Sequence, residues 1–426
     1  MALTFRGGIA PAEKKEAERR AIEAMPAPEK LTIVFSPEKG ENALVKPGDS
    51  VLFGERLTGG EGDGIVPVHA PVSGTVREVN GGSIELENDH KNTPSPEISP
   101  FTVPISEASK EDLIEKIRLA GVTDFGRKEE PLALLLQKAK KTAKRLIINC
   151  VESEPELSAS HRILLEHTGE IVNGVKILLG ATGLKKAVFA VEKSREEEAE
   201  ALMALCGASL HFGISVVKSK YPGDEERQLV EALTGKRPEP GKSALESGFL
   251  ILGAECVWAV YRAFVEGAPV TERILTVSGD AVEKPRNVRV PIGASFDDVL
   301  RFCGGLVKPK PLLLNGGVMR GKAIANASLP VDKNTSAVTA LSDDSLPGKE
   351  TPCIKCGRCV KVCPERLYPL YIARAVDRGA WQNARSWDAD ACTECGCCAY
   401  VCPARIPLPD KIRLAKNPPV KKKEAE

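Results

Sequence analysis

Aromatic side chains are scarce in this chain: Phe, Trp and Tyr together make up 4% of its residues, against 37 Gly and 31 Pro. A core short of large rings must be built from aliphatic side chains on short elements joined by many turns, which suits strand-rich domains. Net charge is nearly missing too. The 59 Lys and Arg offset 58 Asp and Glu to leave a formal +1, so no long-range field directs the chain to nucleic acid or to an anionic membrane surface. No apolar run reaches the ~18 residues that a membrane span needs. The best candidate, residues 249–265, is interrupted by Glu255 and Arg262 and reads as a strand followed by a buried helix. Residues 1–14 carry no apolar core of the signal-peptide kind. The expectation is a cytoplasmic chain without a membrane span, whose membrane association comes only through partner proteins.

What the chain does have is cysteine in two runs of one pattern. The first is Cys353-x-x-Cys356-x-x-Cys359-x-x-x-Cys363-Pro364, and the second is Cys392-x-x-Cys395-x-x-Cys398-x-x-x-Cys402-Pro403. This is the ligand spacing of two-cluster bacterial ferredoxins, in which the fourth cysteine of each run reaches across to the other cluster. Cys353, Cys356, Cys359 and Cys402 are therefore assigned to one [4Fe–4S] cluster, and Cys392, Cys395, Cys398 and Cys363 to the other. Gly357 and Gly396 let the backbone turn tightly past the inorganic sulfides. Zinc also takes paired cysteines, but a structural zinc site closes with four ligands, and eight in two matching runs overshoot that need. A disulfide framework belongs to short secreted chains. Cys397 lies outside the spacing and reads as a buried small hydrophobe. Cys150, Cys206, Cys256 and Cys303 are scattered and read as free thiols in a reducing compartment.

The length of 426 residues allows about two to four domains. After Phe5-Arg6-Gly7-Gly8 comes a charged stretch expected to be helical, then a strand at Leu31-Thr32-Ile33-Val34. Residues 44–90 read as short strands separated by turns, such as Pro47-Gly48-Asp49. They look like the flattened barrel of biotinyl and lipoyl carrier domains, without the hairpin lysine that would carry the prosthetic group. His69 reads as a turn residue. Residues 110–265 alternate helix and strand, which argues for a parallel sheet with helices on its faces; one amphipathic helix is expected over 162–179, closed by Gly180. Residues 271–342 form a small α+β module with a helix capped by Ser295 and ended by Gly304-Gly305. The tail from 417 to 426 is Lys-rich and expected to be disordered.

The ordered set of motifs resembles the C subunit of Rnf-type electron transport complexes, itself similar to the flavin- and NADH-binding subunit of respiratory complex I. The resemblance covers nearly the whole chain. It runs through Phe5-Arg6-Gly7-Gly8, His69-Ala70-Pro71-Val72-Ser73-Gly74, Asn149-Cys150-Val151-Glu152-Ser153-Glu154-Pro155, Tyr221-Pro222, Gln228-Leu229, Ala232-Leu233-Thr234-Gly235 and Thr276-Val277-Ser278-Gly279-Asp280 to the cysteine runs. It implies a multidomain α/β architecture: a barrel-sandwich domain over 1–105, a Rossmann-like domain over 106–268, a β-grasp (soluble-ligand-binding) module over 269–344, a two-cluster ferredoxin module over 345–412 and a flexible tail over 413–426. It implies an electron-input subunit peripheral on the cytoplasmic face of the membrane, docked on other members of the complex. NADH would reduce FMN, and FMN would feed the clusters one electron at a time. Gly126, Glu152 and Glu154 are the residues the resemblance places at the FMN/NADH site.

The sequence departs from that pattern where the flavin phosphate would lie. The family has a run of glycines with Phe-Pro; this chain has Thr123-Asp124-Phe125-Gly126-Arg127-Lys128-Glu129-Glu130-Pro131. A phosphate held by backbone N–H groups needs bare glycine backbone, so flavin and NADH binding are expected to be weaker than the family pattern implies. The alternative reading is a soluble member of the same family without a flavin site, carrying electrons between a redox partner and a dedicated reductase, such as an amino-acid or corrin reductase system.

Overall fold

The computed structural model describes residues 2–62, 64–125, 130–239, 241–346 and 348–418. An N-terminal antiparallel sheet places Lys30–Val34 beside Ser83–Asn88, then Gly74–Asn80, then Ser50–Val51. Alternation drives it: Leu31, Ile33, Ile84 and Leu86 all point into one core and are fully buried. Gly74 is required, because a Cβ there would run into the carbonyl of Glu87 on the neighbouring strand.

The middle of the chain forms a four-stranded, wholly parallel sheet in the order Phe212–Val217, Ala187–Glu192, Arg145–Asn149, Phe249–Gly253. Leu146, Ile147 and Ile148 are buried in succession, as expected for a strand covered on both faces. Helices Lys110–Leu119, Leu132–Thr142, Thr168–Thr182 and Ala254–Val265 pack around it. Gly174 lets Thr168–Thr182 lie directly against the backbone of Val257. The single helix expected over 162–179 is two, Ala159–Glu166 and Thr168–Thr182, and the second runs past Gly180 to a left-handed Gly183. The break at His167 redirects the chain, and the His167 ring stacks on Trp258 with centroids 4.5 Å apart.

A six-stranded sheet follows, in the order Glu23–Ala24, Arg286–Pro291, Glu272–Ser278, Ala337–Leu341, Leu312–Asn315, Lys322–Ala323. Its helix Phe296–Phe302 begins with a capping box between Ser295 and Asp298. The charged stretch expected to be helical before Glu23 is instead an irregular strap with turns only at its end. It offers no apolar stripe for a helix to bury, and long-range bonds hold it extended. Lys15 Nζ donates to the carbonyl of Glu152 at 2.6 Å, and the carbonyl of Ala17 accepts from Asn287. His69, expected in a turn, is buried and pairs in a bridge with Arg56. Burial, then the nearby Lys333 and Arg56, depress its pKa to about 3.

Residues 348–418 carry five short helices around the two cysteine runs, among them Arg358–Val362, Pro369–Asp377 and Leu408–Lys416. Residues 5–8 wedge between this module and the parallel-sheet domain. Gly8 N donates to the carbonyl of Val362 at 2.8 Å, and a Cβ on Gly7 would stand 2.7 Å from the carbonyl of Cys363. That close approach explains the paired glycines. The flexible tail expected from 413 starts later: the helix Leu408–Lys416 carries on through it with Ala415 fully buried, and only from 419 onward does the expected tail lie outside the described residues.

Candidate functional site

The eight motif cysteines segregate into two groups. Cys353, Cys356, Cys359 and Cys402 line one small cavity; Cys363, Cys392, Cys395 and Cys398 line a second. Each run thus contributes its first three cysteines to one cavity and its fourth to the other. Gly357 and Gly396 both adopt left-handed backbone at the tight turns after Cys356 and Cys395. Among the described residues, no group of three or more His, Cys, Asp or Glu converges as a single-ion site would. Apolar side chains close both cavities: Leu370, Ile406 and Leu408 at the first, Leu367 and Ile412 at the second. Burial among them pushes the thiols of Cys363 and Cys392 up to about 11, at Cys392 against the opposing pull of Lys416. A positively charged iron core offsets that, because thiolates are its ligands. Cys397 is fully buried among Ile9, Tyr221 and Val401 and lines only the second cavity's wall. Cys150, Cys206, Cys256 and Cys303 are buried free thiols.

The two quartets differ in setting. Cys395 and Cys398 are buried, and the Tyr221 hydroxyl donates to the Cys395 carbonyl at 2.5 Å. Cys392 and Thr393 also open onto a large cleft of about 1790 Å³ between the parallel sheet, the six-stranded sheet and the cysteine module. The cleft sits beyond the carboxyl ends of Arg145–Asn149 and Phe249–Gly253. These strands lie side by side in the sheet, and open α/β sheets bind ligands in the crevice beyond the carboxyl ends of their strands.

Glu152 and Glu154, the residues expected at an FMN/NADH site, both line this cleft, but their carboxylates are engaged. Glu152 accepts from the backbone N–H of Ser160 and His161, at 3.0 and 3.2 Å, and so caps the helix Ala159–Glu166. Glu154 accepts from Met319 N and from Arg320 Nε, both at 3.2 Å. Burial raises its pKa, an effect Arg320 partly opposes. Arg320 also pairs with Asp224 and Glu225, and its guanidinium lies over the Tyr221 ring. This clamp ties the parallel-sheet domain to the loop after Gly316-Gly317. Nothing periodic in the sequence marks Arg320; only the glycine pair before it hinted at a tight turn.

Gly126 lies outside the described residues, with 127–129. The ends of that loop are described. Thr123 bridges Pro131, Asp124 N donates to the Glu130 carbonyl, and Phe125 takes a left-handed φ of 46°. The Phe125 ring lies under the Arg273 guanidinium, 4.5 Å from its centroid. A hairpin base with a packed phenyl ring thus stands where the family pattern has bare glycine. The described lining of the cleft carries thirteen carboxylates and eight cationic side chains. Most of those cations already face acids: Arg320 as above, Arg273 on Glu255, Arg227 and Arg237 on Glu365, Arg366 on Glu231. The described residues therefore do not fit a dianionic phosphate, which needs uncommitted donors.

Comparison with known proteins agrees with this architecture. Residues 3–93 match the RnfC barrel sandwich hybrid domain, residues 117–262 the Nuo51 FMN-binding domain, residues 274–323 the SLBB domain and residues 352–406 a 4Fe-4S dicluster domain. Over 401 residues the chain is 32% identical to the C subunit of the Na(+)-translocating ferredoxin:NAD(+) oxidoreductase complex of Acetobacterium woodii, spanning 91% of this chain and 90% of that protein. It is 30% identical to the C subunit of the Proton-translocating ferredoxin:NAD(+) oxidoreductase complex of Clostridium ljungdahlii, over 90% of this chain and 87% of that one. The C subunit of the Ion-translocating oxidoreductase complex of Edwardsiella ictaluri is 32% identical, and there the chain spans only 47% of the relative's length. Among solved structures, an NAD+-reducing [NiFe]-hydrogenase in the air-oxidized state shares the fold, with a TM-score of 0.51 at 16% identity over 70% of this chain and 56% of that one. The chain belongs to the RnfC family, the C subunits of Rnf-type, ion-translocating electron transport complexes.

Proposed function

We propose that this chain is the electron-input subunit of an Rnf-type membrane-associated electron transport complex, passing electrons through two [4Fe–4S] clusters. Cys353, Cys356, Cys359 and Cys402 hold the first cluster; Cys392, Cys395, Cys398 and Cys363 hold the second. The single observation that carries this is the exchange of the fourth cysteine between the two cavities, the arrangement of a two-cluster ferredoxin. When bound, such clusters take up and release one electron at a time. The chain's own apolar side chains shield the inner walls of both sites, and Tyr221 holds the second cluster's loop. Among the described residues no helix is long and apolar enough to cross a membrane, so the partners are other subunits, met at the cytoplasmic face. The domain division that goes with this is a barrel-sandwich unit over 1–105, a Rossmann-like unit over 106–268, a β-grasp module over 269–344 and a ferredoxin module from 345 through the helix Leu408–Lys416, with the tail beyond that helix.

One observation favours a second reading for the electron source. The cleft at the sheet's carboxyl edge is acidic, most of its cations are committed, and Phe125 and Arg273 occupy part of it. That supports a relative without a working flavin site, which takes electrons from a redox partner and serves a dedicated reductase. One experiment tests both levels. Anaerobically purified protein is expected to contain about eight iron and eight acid-labile sulfide per chain; stoichiometric zinc without sulfide would overturn the cluster assignment. The same sample is then titrated with FMN and mixed with NADH. Weak or no flavin binding is expected, whereas tight binding with rapid bleaching of the clusters by NADH restores the dehydrogenase reading.

A further inference from the structure

The two cysteine runs share one backbone geometry and face opposite ways. Run two is turned inward, onto Tyr221 and the cleft. Run one is turned out: residues 354–358 are all exposed, among them Cys356, and Ile354 is 68% exposed. The third residue of each motif takes the same left-handed conformation, Lys355 at φ 59° and Glu394 at φ 57°. At that matched position the charge is reversed. Glu394 is neutralised by Arg413 and Lys416, whereas Lys355 meets no carboxylate among the described residues. The same is true of Arg358 and Lys361, on consecutive turns of the helix Arg358–Val362, and of Arg405, beside the cavity-lining Ala404.

These cations are not needed to balance the charge of a cubane. The matched position on the inward run carries a glutamate, and the fold tolerates it. Nor do they stabilise the module through ion pairs, since they make none among the described residues. They lie around the edge at which Cys356, the one fully exposed cysteine among the described residues, meets solvent. We infer that this basic rim is the docking face of an acidic electron-transfer protein, which exchanges electrons with the first cluster across the Ile354–Cys356 edge. The inference rests on the reading that both quartets hold clusters. One electron then moves between the partner's reduced centre and the oxidised first cluster, with no bond made or broken and no proton required. The apolar Ile354 supplies the desolvated centre of the contact, and the lysines and arginines steer the approach.

The test uses the full chain with both clusters reconstituted and, as probe, a small acidic two-cluster ferredoxin reduced beforehand. Stopped-flow electron transfer is measured against ionic strength for the native chain and for the triple variant Lys355→Gln, Arg358→Gln, Lys361→Gln. The native rate constant should fall steeply with salt, and at low salt the variant should be slower by about tenfold or more. At high salt the two should converge as the charges are screened. Carbodiimide coupling should join carboxylates of the probe to Lys355 or Lys361, located by mass spectrometry, a readout independent of electron flow. A variant with unchanged iron and sulfide content but a native rate, or cross-links confined to Lys411, Lys416 or the N-terminal barrel, overturns the docking face while leaving the clusters standing. Absence of iron and sulfide from the native chain overturns the underlying reading itself. Retention of the native chain, but not the variant, on vesicles containing anionic phospholipid would assign the rim to a membrane surface and overturn the protein partner.

Discussion

Lys333 is the sharpest test of how the domains are held together. Its Nζ donates to the carbonyl of Pro67 in the N-terminal barrel at 2.8 Å and to the carbonyl of Gly121 in the parallel-sheet domain at 2.7 Å. The amine is fully enclosed, and burial lowers its pKa from the ordinary 10.5 to about 7, with Glu41 opposing and Arg273 adding to the fall. The folded pKa is the lower one, so the unfolded chain holds more protons between pH 7 and pH 10.5. Native stability therefore rises with pH across that window. At ~1.4 kcal/mol for each tenfold change, keeping the lysine enclosed at pH 7 costs about 5 kcal/mol, shrinking to nothing by pH 10.5. Lys333→Met keeps the volume, removes that cost and forfeits two hydrogen bonds worth about 2 kcal/mol together. The variant should be more stable than the native chain by about 3 kcal/mol at pH 7 and less stable by about 2 kcal/mol at pH 10.5, crossing near about pH 9. Anaerobic urea unfolding, read by tryptophan fluorescence and by cluster absorbance, measures the difference wherever the two signals coincide. A difference between the two proteins that stays constant from pH 7 to pH 10.5 would refute the reasoning, because it would mean that Lys333 titrates like a hydrated lysine.

Three further outcomes are expected. His69 has a folded pKa of about 3 against an ordinary 6.5, so the unfolded chain gains a proton first and native stability falls as pH drops through that interval; His69→Gln should flatten this acid limb, seen in unfolding midpoints at pH 6.5 and about pH 5. Cys356→Ala should damage the exposed cluster preferentially, whereas Cys397→Ala should leave iron and sulfide at the native content; loss of a full cubane from the second variant would move Cys397 into the ligand set. Tyr221→Phe leaves the buried Cys395 carbonyl without its donor, at about 1–3 kcal/mol, so thermal bleaching monitored by electron paramagnetic resonance should weaken the inward cluster before the outward one. Simultaneous loss of both would count against a local role for Tyr221.

The division of the eight cysteines between two cavities was legible in the sequence because spacing is a property of the backbone over a dozen residues. Two thiolates three positions apart reach the same cavity once a glycine turns the chain between them. The strand–helix alternation over 145–265 was legible for the same reason: it needs only local hydrophobic periodicity, and the four parallel strands fall where that periodicity put them. Glu152 and Glu154 line the cleft because a strand end exposes the next residues to the crevice beyond it. What their carboxylates do was not legible. One caps a helix and the other is held by Arg320, 166 residues away. Lys333 bonds to carbonyls 266 and 212 residues distant, and Tyr221 reaches a carbonyl 174 residues on. The strap before Glu23 and the break at His167 belong to this class as well. Local composition permitted a helix at both; contacts with other domains at the strap, and with Trp258 of the same domain at His167, decided otherwise. The orientation of the two cysteine runs is the plainest case. Their sequences are near copies, yet one faces a buried cleft and the other faces solvent, because only one of them has Tyr221 and Met319 packed against its turn. Spacing determines which atoms can meet a cluster; the packing of the whole chain decides which cluster a partner can meet.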